Sequence, residues 1–172
     1  MEETNTKYQP VPQPADVSRR DKEDAMGSYL MMFAAFAVGL PLPIINLIAA
    51  FVYYILNAKK SRFVKFHSLQ SILSQIPTTL MNAILLGWTI RLFVFNNHTF
   101  DNLDAVNGSV YFGYLIAVII ANLLYFIFSI VAAVKAYKGQ FYYFIFFGKI
   151  AYHYAYLNKG HSEVKPVNKP PV

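Results

Sequence analysis

The chain contains no cysteine, which excludes disulfides, thiolate metal sites and cysteine nucleophiles. Charge is scarce as well: Asp, Glu, Lys and Arg make up 14% of the 172 residues, against 56% hydrophobic residues, and the mean hydropathy is +0.36. A water-soluble domain of this size is not so apolar, so the composition implies an integral membrane protein whose first partner is the lipid bilayer. The 9 acidic residues are absent where they would matter most. Glu2, Glu3, Asp16, Asp21, Glu23, Asp24, Asp101, Asp104 and Glu163 all lie outside the apolar runs. Proton relays and cation-coupled transport place a carboxylate at membrane depth, and glycosidase-type hydrolysis needs a pair of them. Neither is available. The 4 histidines show no metal-ligand spacing, so no enzymatic activity, metal or cofactor is expected. The net charge of +6 is carried by tails and short loops beside apolar runs, where it marks topology rather than a nucleic-acid face.

Aromatic residues are abundant, at 17%, and those with a polar tip favour the bilayer boundary. Residues 1–25 are polar, with Pro10, Pro12 and Pro14, and are expected to form a disordered tail. The acidic start, Glu2 and Glu3, does not suit a signal or transit peptide. A membrane domain is expected over residues 26–157 and a second disordered tail over 158–172. The apolar run Met26 to Leu56 is interrupted by GLPLP at Gly39 to Pro43. It is too long for one upright crossing of a hydrocarbon core of about 30 Å. Pro41 and Pro43 therefore leave either one tilted, kinked helix or a hairpin of short helices near Ser28–Leu40 and Ile44–Leu56.

The basic loop Lys59, Lys60, Arg62 and Lys65 has no acid among them and marks the inner side. It leads into an apolar helix with a polar stripe. His67, Gln70, Ser71, Ser74, Gln75, Thr78 and Asn82 follow the spacing of one helix face. Such a face is either a packing surface, through hydrogen bonds between helices, or the lining of a polar groove. His67 beside Ser68, Ser71 and Ser74 does not form a catalytic triad, because no carboxylate lies there to orient it. Asn96 to Ser109 carries Asp101 and Asp104 without Lys or Arg and suits the outer side. The next span, Val110 to Val134, has Gly113, Ala117 and Ala121 at a spacing that allows close helix packing, with Asn122 and Ser129 able to bond across an interface. Beyond Lys135 and Lys138, the aromatic stretch ending near Leu157 is expected to be a helix lying in the inner interface. The expected fold is an all-α, polytopic membrane bundle. It has about four membrane segments, the first two a Pro-broken hairpin, plus the interfacial helix, with both termini cytoplasmic.

The segment SRFVKFHSLQSIL, Ser61 to Leu73, resembles the signature of the 20-kDa channel-subunit family of the chloroplast inner-envelope protein import translocon and its bacterial relatives. The matching residues are Phe63, Val64, Lys65, Phe66, His67, Ser68, Leu69 and Gln70. KAYKGQFYYFIFFGKI is similar to the family's close, with Gln140 where an acid is common. The resemblance implies a four-helix membrane protein, both ends on one side, connected with protein translocation in plastids. The lack of a transit peptide points instead to a bacterial cytoplasmic membrane, where a component of protein translocation or assembly is expected, with other membrane proteins or further copies of itself as partners. The alternative is a non-transporting scaffold whose polar face only packs helices.

Overall fold

A computed structural model of the chain describes residues 8–34, 43–95 and 105–157. Within them the protein is all-α: α1 (Arg19–Leu30) with a 3-10 turn Met31–Phe33, α2 (Pro43–Asn57), α3 (Arg62–Ile90) with a wider π-type turn Arg91–Phe95, α4 (Ala105–Tyr137) and α5 (Phe147–Tyr156). The GLPLP break, apart from Pro43 at the start of α2, the loop 96–104, the first seven residues and the expected C-terminal tail from 158 onward lie outside the described residues.

Order begins earlier than composition suggests. The expected boundary after residue 25 falls inside α1, which starts at Arg19. The Ser18 hydroxyl caps it by accepting the Asp21 N–H at 3.1 Å. Val17, Ala25 and Tyr29 are buried against Phe63, Ala132, Ala133 and Ala136. A charge-rich segment thus becomes helical because one side of it packs onto α3 and α4, and the alanines let the backbones approach closely. Upstream, the Gln9 N–H donates to the Tyr156 carbonyl at 2.9 Å, tying the Pro-containing strap to the end of α5.

The two ends of the first apolar run meet. Lys60 forms an ion pair with Asp24 at 2.7 Å, and the Tyr53 hydroxyl donates to the Asp24 carbonyl at 2.9 Å. One kinked crossing would separate these residues by the bilayer thickness, so the run folds back on itself. Ile44–Asn57 is apolar but short, at 14 residues or about 21 Å.

Among the described residues two helices are long and apolar enough to cross a membrane: Arg62–Phe95, of 34 residues, and Gly108–Tyr137, of 30. Only 6% and 17% of their apolar windows are buried, so they are not the core helices of a soluble domain. Ile76, Leu80, Ile84, Ile116, Ile119 and Leu123 all face outward, an apolar surface that calls for lipid. Gly113 and Ala117 face outward too, with open space around Gly113. The close packing expected of them falls instead to Ala132, Ala133 and Ala136.

The expected interfacial helix is shorter than its aromatic stretch. Gly139, at φ +73°, ends α4. Its N–H donates to the Ala136 carbonyl and that of Gln140 to the Lys135 carbonyl, both at 2.9 Å, the paired bonds of a Schellman cap. The chain then runs non-helically from Gln140 until α5 begins at Phe147.

Candidate functional site

The polar stripe of α3 is mostly buried, and Ser74 and Thr78 also line a cleft. His67, Gln70, Ser71, Ser74 and Gln75 are buried, and Thr78 and Asn82 are partly buried. At the centre stands Gln70. Its Nε2 donates to the Tyr142 carbonyl and to the Tyr29 hydroxyl, each at 2.8 Å, and its Oε1 accepts the Phe144 N–H at 3.3 Å. One carboxamide therefore supplies the partners that the non-helical backbone 142–144 would otherwise lack. Backbone outside a helix is tolerated at such depth only when protein groups satisfy it. Gly148 permits this approach, because a Cβ there would lie 2.7 Å from Tyr143 and 2.9 Å from the Gln70 oxygen.

The network also fixes the histidine. Tyr29 accepts from Gln70, so its single hydrogen is directed to His67 Nδ1 at 3.0 Å. The ring proton of His67 then sits on Nε2, which has no hydrogen-bond partner. The reverse assignment would orphan the phenol hydrogen as well. Around the imidazole stand Phe63, Phe66 and Phe141, with ring centroids 4.5, 4.9 and 5.8 Å away. His153 lies elsewhere, 3.4 Å from the Tyr8 hydroxyl, so the two histidines have separate partners. His98 and His161 lie outside the described residues.

Further along, Ser71 donates to the Ser28 carbonyl at 2.8 Å and accepts from Gln75 at 3.3 Å. Ser74 and Thr78 turn back onto their own helix, on the carbonyls of Ser71 and Gln75. Asn82 and Asn122 exchange reciprocal amide bonds at 3.0 and 3.3 Å between α3 and α4. Tyr125, by contrast, places its hydroxyl beside Ser129, Ser74 and Gln75 without reaching hydrogen-bond geometry to any of them. The opening there is a cleft of about 460 Å³ lined largely by aromatics, including Phe128, Tyr142, Phe144 and Phe147. The spacing of the stripe located its residues; it held no signal for Tyr29, Ser28 or the Tyr142 and Phe144 backbone, which complete it.

In the basic loop, Lys60 is held by Asp24, Lys59 is exposed and Lys65 is partly buried. Arg62 faces a separate cavity at that end of the bundle.

Residues 23–151 match the magnetosome magnetite crystal formation protein family, MamF/MmsF. The chain belongs to this family. The match runs from within α1 into α5 and so takes in the packed bundle. It overturns the likeness to the import translocon and, with it, the expected part in protein translocation. The structure supplies a physical reason. The residues on which that likeness rests, Phe63 to Gln70, are mostly buried and pack the bundle together, so they report an arrangement of helices. No curated protein and no solved structure matches the chain. Membership of MamF/MmsF agrees with a bilayer-associated chain carrying two apolar helices of spanning length.

Proposed function

We propose that this MamF/MmsF chain is a non-catalytic membrane component of magnetite crystal formation, anchored through four membrane segments with both termini on one side. The observation that carries the reading is the family match across the packed bundle. The bundle holds the basic loop 59–65 at one end and turns from α3 to α4 at the other. The α3–α4 connection contains Asp101 and Asp104 without any Lys or Arg. By the distribution of basic residues it lies on the side opposite the basic loop. Carboxylates are hard oxygen donors of the kind that hard metal cations take up. In this reading the helices fix an acidic loop against the growing mineral, and the buried stripe serves only to hold the helices.

The test is replacement of the gene in a magnetosome-forming host by the Asp101→Asn/Asp104→Asn variant and, separately, by a deletion. Electron microscopy should show magnetosome membranes retained and crystals reduced in size in both strains. Unchanged crystals in the deletion strain would remove the proposal. Small crystals in the deletion strain with normal ones in the Asn variant would remove the role given to the loop.

A further inference from the structure

The N-terminal strap, the first turns of α1 and α3, and the end of α5 line an open cavity of about 350 Å³ that includes Asp16, Asp21, Ser61, Arg62, Phe63 and Tyr156. Tyr156 is 1% exposed, and its hydroxyl meets no hydrogen-bond partner. A buried donor left in that state calls for an explanation. Burial pushes the phenol's pKa above its ordinary value, with Tyr152 adding to it, while the Arg62 guanidinium draws it partly back. Arg62 and Tyr156 therefore act on the same region.

The charges around the cavity are not matched to one another. The ion pairs among the described residues are Arg19–Glu23 and Lys60–Asp24, which leaves Arg62, Asp16 and Asp21 without one. Asp16 accepts only a backbone N–H, from Gln13 at 3.1 Å. At the start of α3, Ser61 takes the Val64 and Lys65 N–H groups with its side chain and carbonyl. The Arg62 and Phe63 amides, at the first two positions of a 29-residue helix, have no acceptor within the helix and lie at its positive end. One part of the cavity thus presents a guanidinium, a phenol and two amides, all donors, and another presents two carboxylates.

A bare anion suits the donors but is repelled by Asp16 and Asp21, and a bare cation meets the converse difficulty with Arg62. We propose that the cavity binds a phosphoethanolamine group. The phosphate is held by Arg62, the Tyr156 hydroxyl and the first amides of α3, and the ammonium by Asp16 and Asp21. The group can come from a phosphatidylethanolamine head group or from a soluble phosphoethanolamine ester.

The full chain in phosphatidylcholine nanodiscs is titrated calorimetrically with soluble phosphoethanolamine and with inorganic phosphate. In parallel, retention of phosphatidylethanolamine and of phosphatidylglycerol is read by native mass spectrometry. Saturable binding of soluble phosphoethanolamine, or selective retention of phosphatidylethanolamine, supports the site, and whichever occurs identifies the source. Tyr156→Phe should weaken binding about tenfold, the scale of one charge-assisted hydrogen bond. Asp16→Asn/Asp21→Asn should abolish the preference over inorganic phosphate or phosphatidylglycerol. Arg62→Gln, at an exposed side chain, provides a loss-of-binding variant that does not disturb the core. The proposal fails if neither form binds saturably, or if binding is unchanged in Arg62→Gln and in the double Asn variant.

Discussion

Gln70 uses both amide hydrogens and its oxygen on groups from distant parts of the chain, 41 and 72 positions away for the two donated bonds. Leucine at this position would keep much of the volume and orphan the Tyr142 carbonyl and the Phe144 N–H, at about 1–3 kcal/mol each. Gln70→Leu should therefore melt at a lower temperature in detergent, with faster hydrogen exchange over residues 141–146. Melting and exchange like those of the parent would show that the carboxamide is dispensable. Glutamate tests the direction of the bonds: ionised, it can still accept from Phe144 but has nothing to donate to the Tyr142 carbonyl, so at high pH Gln70→Glu should melt lower than Gln70→Leu and should recover as the carboxyl is protonated. The same chain of donors makes a prediction for His67. With Tyr29 donating to Nδ1, nitrogen-15 spectra of the labelled protein should show the proton on Nε2. Tyr29→Phe should broaden that assignment into a mixture of tautomers. A parent spectrum with the proton on Nδ1 would reverse the donor order of the whole network.

At the scale of elements, two contacts decide how α4 is held. Gly139 combines a left-handed backbone with a tight fit: an added Cβ would stand 2.8 Å from the Lys22 side chain and 3.0 Å from the Pro14 carbonyl. Gly139→Ala should lower stability by about 1 kcal/mol from the backbone alone. It should also loosen the strap at Pro14, detectable as faster proteolysis near residue 14. Further down, Asn82 and Asn122 hold α3 to α4. A double-mutant cycle with leucine at both positions should give a coupling of about 0.6–1.7 kcal/mol, the range found for such bonds in membrane bundles. A coupling near zero would make the pair incidental. These elements also show what was legible in the sequence. The stripe was readable because helical spacing is local, and Asn122 because a polar residue in an apolar span needs a partner. The start of α1 was not, because RRDKEDA has the composition of a solvated segment and its helix depends on Tyr29 reaching α3. The aromatic stretch after Gly139 looked helical, since nothing local announces that Gln70 will satisfy its backbone. The likeness to the translocon rested on Phe63 to Gln70, and residues that mainly pack helices carry little information about what the bundle handles.

For the whole molecule, the contact that matters most is Lys60 with Asp24. It brings the entry and exit of the first apolar run together, as the proposed hairpin requires. In the proposed topology α3 and α4 carry the chain across and back, since each is long and apolar enough to span. In that proposed topology the N-terminus, the basic loop and the end of α4 at Lys135 share one face, and the acidic connection between α3 and α4 occupies the other. The absence of cysteine allows a clean check. Single cysteines at Asn5, Lys59 and Asn102 are exposed to a membrane-impermeant maleimide in intact cells and again after permeabilisation. In a host without magnetosomes, where the chain resides in the cytoplasmic membrane, Asn102→Cys should react in intact cells, whereas Asn5→Cys and Lys59→Cys should react only once the membrane is opened. If Asn5→Cys and Asn102→Cys both react in intact cells while Lys59→Cys stays protected, the first run crosses the bilayer once and the Asp24–Lys60 contact cannot exist in the membrane. If Lys59→Cys reacts and Asn102→Cys does not, the acidic loop lies on the cytoplasmic face, and the side on which it would meet a growing crystal is reversed.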